Sequence, residues 1–226
     1  MVKIDFNEYK HEYSVNGQKV PSVSEILSPL SADRYRDLNP AILQYAAERG
    51  KAVHEACEAI DYGLDPEIDP EIVGYVIAYQ DFIRDYFPKW ELIEQITGCF
   101  YTIGSVVCRE EDDLPIYAGT LDRYGKIDGR PVVLDIKTYA SLSTDAMIGA
   151  SCQTVLYADA LESNGYDFSD GISRYILHLK KDGTYRLVNL GEFDNKRGFN
   201  SRAIAHQLVH INKALTDARK GKKKDE

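Results

Sequence analysis

Between Gly119 and Lys137 the chain runs Gly119-Thr120-Leu121-Asp122, passes a turn at Asp128-Gly129, and ends the apolar run Val132-Val133-Leu134 in Asp135-Ile136-Lys137. Period-two alternation on a strand puts Val133, Asp135 and Lys137 on one face and Val132, Leu134 and Ile136 on the other. A carboxylate and an amine thus leave a hydrophobic strand side by side, and burying either without a partner or a metal is costly. The preceding segment, Tyr117 to Gly125, reads as a second strand. Asp-Gly between two such runs is a hairpin signal, which makes the strands antiparallel neighbours. Thr120, Asp122 and Tyr124 are then expected on one face, with Asp122 converging on Asp135. Two converging carboxylates suit a hard divalent cation such as Mg2+, with the Ile136 carbonyl as a third oxygen ligand. The plainer alternative is an Asp135–Lys137 ion pair beside an Asp122 that only flanks a turn.

The rest of the chain supplies helices and strands to surround this hairpin. A long helix is predicted from Pro40 to Asp61, with Pro40 suited to its first turn. Gly50 interrupts it at a cost of about 1 kcal/mol relative to alanine, which points to close packing or the approach of a ligand. His54 lies one turn further on and, by residue type alone, reads as an ordinary half-buried histidine. Asp69-Pro70 opens a second helix that runs to Phe87, whose Tyr75, Tyr79, Phe82 and Phe87 read as core or interface rather than as base-stacking groups. Trp90 to Thr97 follows as a strand with Leu92, Glu94 and Ile96 on one face. A third helix, Ser143 to Ser163, carries Gln153 and Tyr157 four residues apart and therefore on one side.

At the amino terminus, Asn16-Gly17 marks a hairpin within His11 to Val20, and Ser22 and Glu25 have capping-box spacing before a short helix. Phe100 to Cys108 is expected to continue the sheet, with an acidic loop from Glu110 to Asp113. Gly171 to Lys180 and Thr184 to Leu190 pair across Lys181-Asp182-Gly183, with His178 a strand residue of no chemical role. Asp194 to Arg219 reads as a final helix, and the basic tail 219–226 as disordered. The prediction is one α/β domain over 1–226, with 1–30 as an amino-terminal hairpin and short helix. Its mixed central β-sheet is flanked by helices, and the site lies at one sheet edge where the Asp122 and Asp135 strands open.

In order, His54, Gly119-x-x-Asp122, Asp135-x-Lys137 and Gln153-x-x-x-Tyr157 resemble the PD-(D/E)XK nuclease superfamily, particularly its RecB-like and phage-exonuclease branches. The chain departs from the superfamily's literal pattern in carrying Leu121 where a proline would precede the first aspartate; the RecB-like Gly-x-x-Asp form does not need it. The resemblance spans about residues 50 to 160 and implies a restriction-endonuclease-like core. It makes His54 a metal-binding histidine, and it places an additional metal-site glutamate where Glu94 stands, with a surface strand glutamate as the alternative reading of that residue.

The activity so implied is Mg2+- or Mn2+-dependent hydrolysis of DNA phosphodiesters. One or two ions would be held by Asp122, Asp135, the Ile136 carbonyl and His54. Lys137 would orient the attacking water or stabilise charge at phosphorus, with its own pKa falling near the cations. Gln153 and Tyr157 would position the DNA backbone or the lysine. The first expectation is an exonuclease acting at DNA ends, of the kind that works in phage or bacterial recombination and repair beside a single-strand annealing protein or a helicase, with a homo-oligomer among the arrangements. A structure-specific or flap endonuclease and a non-catalytic nucleic-acid binding module are the alternatives. The intact Asp122, Asp135 and Lys137 argue against the last.

Composition sets limits on these expectations. A net charge of -9 is acidic for a DNA enzyme, so basic residues must be confined to a groove and affinity without metal should be weak. No apolar run reaches the length of a membrane span and no signal-peptide pattern opens the chain, so a cytoplasmic protein with no membrane partner is expected. The four cysteines, Cys57, Cys99, Cys108 and Cys152, lack metal-ligand spacing. Some RecB-like relatives carry an iron–sulfur cluster on later cysteines; this chain has none after Cys152, and no cluster is expected.

Overall fold

The computed structural model describes residues 3–31, 38–100 and 115–222, with side chains to Arg219. Two tight turns set the register of its two sheets. Asn16 and Gly17, at φ 51° and 78°, form a left-handed pair that joins β2 (Glu12–Val15) to β3 (Gln18–Val20), and β1 (Asp5–Asn7) adds to the far side of β2. The same chemistry recurs at Asp128 and Gly129, with φ 49° and 77°. Both pairs match the primed turn whose twist suits a two-residue hairpin. The small amino-terminal sheet leads into α1 (Val23–Leu27), where Ser22 and Glu25 form the capping box expected of them.

Asn39 caps α2 (Pro40–Asp61), accepting from the Ala41 N–H, and Pro40 occupies the first turn where its missing N–H costs nothing. Next, α3 (Val73–Tyr86) begins later than the predicted Asp69-Pro70 start; the Asp69 side chain instead accepts from the Glu71 N–H in a preceding turn. Tyr75, Tyr79 and Phe82 are core as expected, whereas Phe87 is 75% exposed at the left-handed residue that ends the helix before Pro88.

Five strands make the larger sheet, in the order β4 (Lys89–Cys99), β5 (Tyr117–Ile127), β6 (Arg130–Lys137), β7 (Ser173–Leu179), β8 (Tyr185–Asn189). The β6–β7 pair is parallel and the other pairs are antiparallel, so the sheet is mixed. The parallel pair needs a crossover, and α4 (Thr144–Ser163) supplies it, capped by Ser143. This helix is buried along most of its length, from Ala146 to Leu161, and carries Ser151, Thr154 and Asp159 into the interior with its apolar residues. Each fully buried leucine, such as Leu156 and Leu161, contributes about 1.5–3 kcal/mol.

One core lies on the α4 side of the sheet, with α1, Leu121, Tyr124 and Val133. The other lies on the α2 and α3 side, with Val132, Leu134 and Ile136. The two faces of β6 therefore divide as its alternation requires.

The predicted final helix is two helices, α5 (Leu190–Arg197) and α6 (Ser201–Lys222). Gly198 takes the left-handed C-cap at φ 60°, and Asn200 accepts from the Ala203 N–H at the new start. The second of these helices continues to Lys222, past the Arg219 boundary expected for a disordered tail; residues 223–226 lie outside the described residues. The predicted strand extension to Cys108 lies outside them beyond Phe100, and so does the Glu110–Asp113 loop. No described helix is long and apolar enough to cross a membrane.

Candidate active site

The β5–β6 ladder stops at the Arg123↔Leu134 pair. Past that point the strands part, and a side chain takes over from the backbone: Asp122 Oδ2 accepts from the Ile136 N–H at 2.6 Å. The site sits in this parting. Both strands are interior to the sheet, with β4 outside β5 and β7 outside β6, so the predicted location at a sheet edge is corrected to the end of an interior ladder.

His54 reaches the parting from α2. Its Nδ1 lies 3.0 Å from Glu94 Oε1 and 3.8 Å from Asp122 Oδ2, and its Nε2 lies 3.2 Å from the Ile136 carbonyl oxygen. Both ring nitrogens thus face acceptors, an arrangement only the imidazolium satisfies fully. Burial opposes the charge, but Asp122 and Glu94 outweigh it and raise the His54 pKa to about 9. The same pairing, together with Arg123, holds the Glu94 carboxyl below its ordinary value against the effect of burial. Ligand atoms of His54, Glu94 and Asp122 lie within 4.8 Å of one another and form a triplet able to hold a metal ion.

Asp135 is outside that triplet. Its Oδ1 accepts from Lys137 Nζ at 2.8 Å, while its Oδ2 is buried without a hydrogen-bond partner among the described residues. Burial, against the pull of Lys137 and with Asp122 adding to it, raises the Asp135 pKa to about 6. Lys137 also donates to Gln153 Oε1 at 3.4 Å. Burial disfavours its ammonium, but Asp135, with Tyr139 and Asp122, prevails and raises its pKa.

Tyr157 is hydrogen-bonded to Gln153, the residue whose Oε1 accepts from Lys137. Its ring packs over Gly119, where an added Cβ would lie 3.0 Å from Tyr157 Cε1 and 3.0 Å from Val23 Cγ2. Gly119 is therefore needed for close approach. Gly50 has no such role: a Cβ there would lie 3.7 Å from Thr138 Oγ1, an ordinary contact, so the close packing expected of it is absent.

Two alternation patterns fail, and together they build the site. Thr120 meets Tyr13 at 2.9 Å in the amino-terminal sheet's cluster, while Tyr124 packs with Tyr166 and Phe168 on the α4 side. The two do not share the face predicted for them with Asp122. On β4, Leu92 packs on the α4 side and Ile96 on the amino-terminal sheet, whereas Glu94 points to His54. The cause is local: Glu94 has φ 44°, between the pairs Ile93↔Arg123 and Gln95↔Leu121. A non-glycine residue held in this region costs of order 1–3 kcal/mol and persists only where its surroundings impose it.

Arg123 was not singled out from sequence. It is wholly buried, and its guanidinium donates to Asp61 at 2.6 Å, Glu94 at 2.8 Å and the Asp122 carbonyl at 2.7 Å. Tyr79 donates to the same Asp61 oxygen at 2.6 Å. The available signal was its place on the predicted strand, in line with Gly119 and Leu121 on an apolar face, where an arginine requires acidic partners. His178 is a buried strand residue whose Nε2 lies 2.7 Å from the Tyr139 carbonyl oxygen. Cys57 and Cys152 are buried free thiols and Cys99 is buried; Cys108 lies outside the described residues.

The donors present fit a hard divalent cation: carboxylate oxygens, a backbone carbonyl and one imidazole, with the orphaned Asp135 Oδ2 nearby.

No protein-family model matches the sequence, and no curated protein does. Among solved structures the chain is similar to the crystal structure of SSO0001, at 15% identity and a TM-score of 0.46, over 89% of this chain and 78% of that one. A likeness at this level carries no functional information.

Proposed function

We propose that this chain is a metal-dependent deoxyribonuclease of the PD-(D/E)XK type, acting at DNA ends. The observation that carries the reading is the gathering of His54, Glu94 and Asp122 beside the Asp135–Lys137 pair where β5 and β6 part. Four segments far apart in sequence, α2, β4, β5 and β6, deliver charge to one partly buried point, the kind of clustering that strongly perturbed groups show at functional sites.

His54, Glu94, Asp122, the free Oδ2 of Asp135 and the Ile136 carbonyl would hold the cation. When bound, it would supply positive charge to the scissile phosphate and lower the pKa of an attacking water. Lys137 is held by Asp135 and Gln153, so its ammonium is fixed rather than searching, ready to meet negative charge developing at phosphorus. Gln153 positions that ammonium, and Tyr157, packed on Gly119, fixes the helix that carries Gln153. Asp122 keeps the strands apart by taking the Ile136 N–H, which leaves the Ile136 carbonyl directed into the site.

The test follows the purified chain and a Lys137→Ala control on linear duplex, closed circular duplex and single-stranded DNA, each with Mg2+, Mn2+ or EDTA. Metal-dependent loss of linear substrates only, absent from the variant, is the expected result. Cutting of closed circles would replace it with an endonuclease. No cleavage under any condition, with DNA retained in a gel shift, would reduce the chain to a binding module.

A further inference from the structure

We infer that Arg123 is a positioning residue that acts on the cation through Glu94, an inference that rests on the nuclease reading of the site. Its Nη1 donates both to Glu94 Oε1 and to the Asp122 carbonyl, so one buried nitrogen ties down two of the three residues in the metal triplet. Glu94 Oε1 also faces His54 Nδ1 at 3.0 Å, which leaves Oε2 as the oxygen with no hydrogen-bond partner among the described residues. The guanidinium therefore decides which carboxylate oxygen is free for a metal.

The backbone makes the same point. The Glu94 φ of 44° breaks the β4–β5 ladder opposite Asp122, and Arg123 Nη1 fills the break by taking the Asp122 carbonyl. At its other end, Arg123 Nε is fixed by Asp61, which is held in turn by Tyr79 from α3. An arginine that served only the core would need Asp61 alone. This one reaches across to the site and holds a carboxylate in a backbone conformation that a strand would otherwise reject.

The test is a double-mutant cycle read by Mn2+ affinity in calorimetry, without DNA or turnover. Arg123→Lys keeps the charge but cannot span Asp61, Glu94 and the Asp122 carbonyl together. It should weaken Mn2+ binding about 10–100-fold, the range for loss of a residue that orients a metal ligand. Glu94→Gln should weaken it at least as much, and the double variant should bind no more weakly than Glu94→Gln alone, since residues acting through one another are not additive. Tyr79→Phe, which loosens Asp61 but leaves the Arg123–Glu94 contact in place, should lower the melting temperature and cost Mn2+ affinity several-fold less than Arg123→Lys.

Additive effects, an unchanged affinity in Arg123→Lys, or an equal loss in Tyr79→Phe would overturn the inference while leaving the nuclease reading in place. Absence of Mn2+ binding by the wild-type chain would overturn both. Should Arg123→Lys not fold, the pair Arg123→Met with Asp61→Asn removes both buried charges and enters the cycle in its place, with the same non-additivity required.

Discussion

In the metal-free chain the His54 imidazolium stands where a cation would, with Glu94 and Asp122 around it and its pKa raised to about 9. A divalent ion that takes a nitrogen of His54 must displace that proton. At pH 7, two units below the pKa, displacement costs about 2.7 kcal/mol, which is about a hundredfold in affinity. The apparent dissociation constant should fall about tenfold per pH unit from 7 to 9 and then level off. Calorimetric titration with Mg2+ or Mn2+ in buffers of different ionisation enthalpy should show close to one proton released per ion at pH 7. Below pH 6 the slope should steepen as Asp135, with its pKa raised to about 6, also takes up a proton. The same pKa has a consequence for stability without metal. Because His54 titrates higher folded than unfolded, its contribution is fully present below about pH 6.5 and is lost as the pH rises through about 9. The metal-free melting temperature should therefore fall between pH 7 and 9.5. Metal binding that is flat from pH 7 to 9 and releases no proton would refute the assignment of His54 as a ligand. A His54→Gln variant that kept the wild-type slope would refute it equally.

Lys137→Ala should abolish cleavage while leaving Mn2+ affinity within a few-fold of wild type, because Asp135 loses its partner but no metal donor is removed; a parallel loss of metal binding would make Lys137 a structural residue. Gly119→Ala should cost about 1–3 kcal/mol in chemical denaturation, since the new methyl is wedged against Tyr157 and Val23 in a packed core; unchanged stability would mean that the Tyr157 ring moves freely. Without DNA, Mn2+ titration should saturate at one ion per chain, and two tight ions would contradict the charge balance of the site.

Most of the frame was legible because it depends on local chemistry. Asp128-Gly129 and Asn16-Gly17 fix their hairpins through two positive φ values each, and Pro40 and Ser143 mark helix starts by what their own atoms can and cannot bond. Asp135 and Lys137 were legible as charges on an apolar strand. What escaped was whatever depended on a break in regularity. Glu94 leaves the face of Leu92 because it is itself left-handed, Thr120 and Tyr124 part company on the strand opposite it, and no residue type announces either. Arg123 escaped because its meaning lies in partners 62 and 29 residues away. The break between α5 and α6 was different, since Gly198 and Asn200 carried ordinary stop and start signals between two segments of helical composition.

The composition objection, a net charge of -9 on a chain proposed to bind DNA, meets an answer in the site itself. Four carboxylates, Asp61, Glu94, Asp122 and Asp135, face three cations, Arg123, Lys137 and the His54 imidazolium. The metal-free cluster thus keeps one uncompensated negative charge, which repels phosphate. A divalent ion that displaces the His54 proton brings the cluster to neutrality, whereas one that leaves the proton in place makes it positive. A second ion would add two positive charges to a site already neutral, in surroundings where charge is poorly screened, and so would have to arrive with the anion it serves. Proton displacement, weak DNA affinity without metal and a single ion before substrate are then one electrostatic condition. Arg123 and Asp61 belong to that balance as much as the residues that would touch the metal.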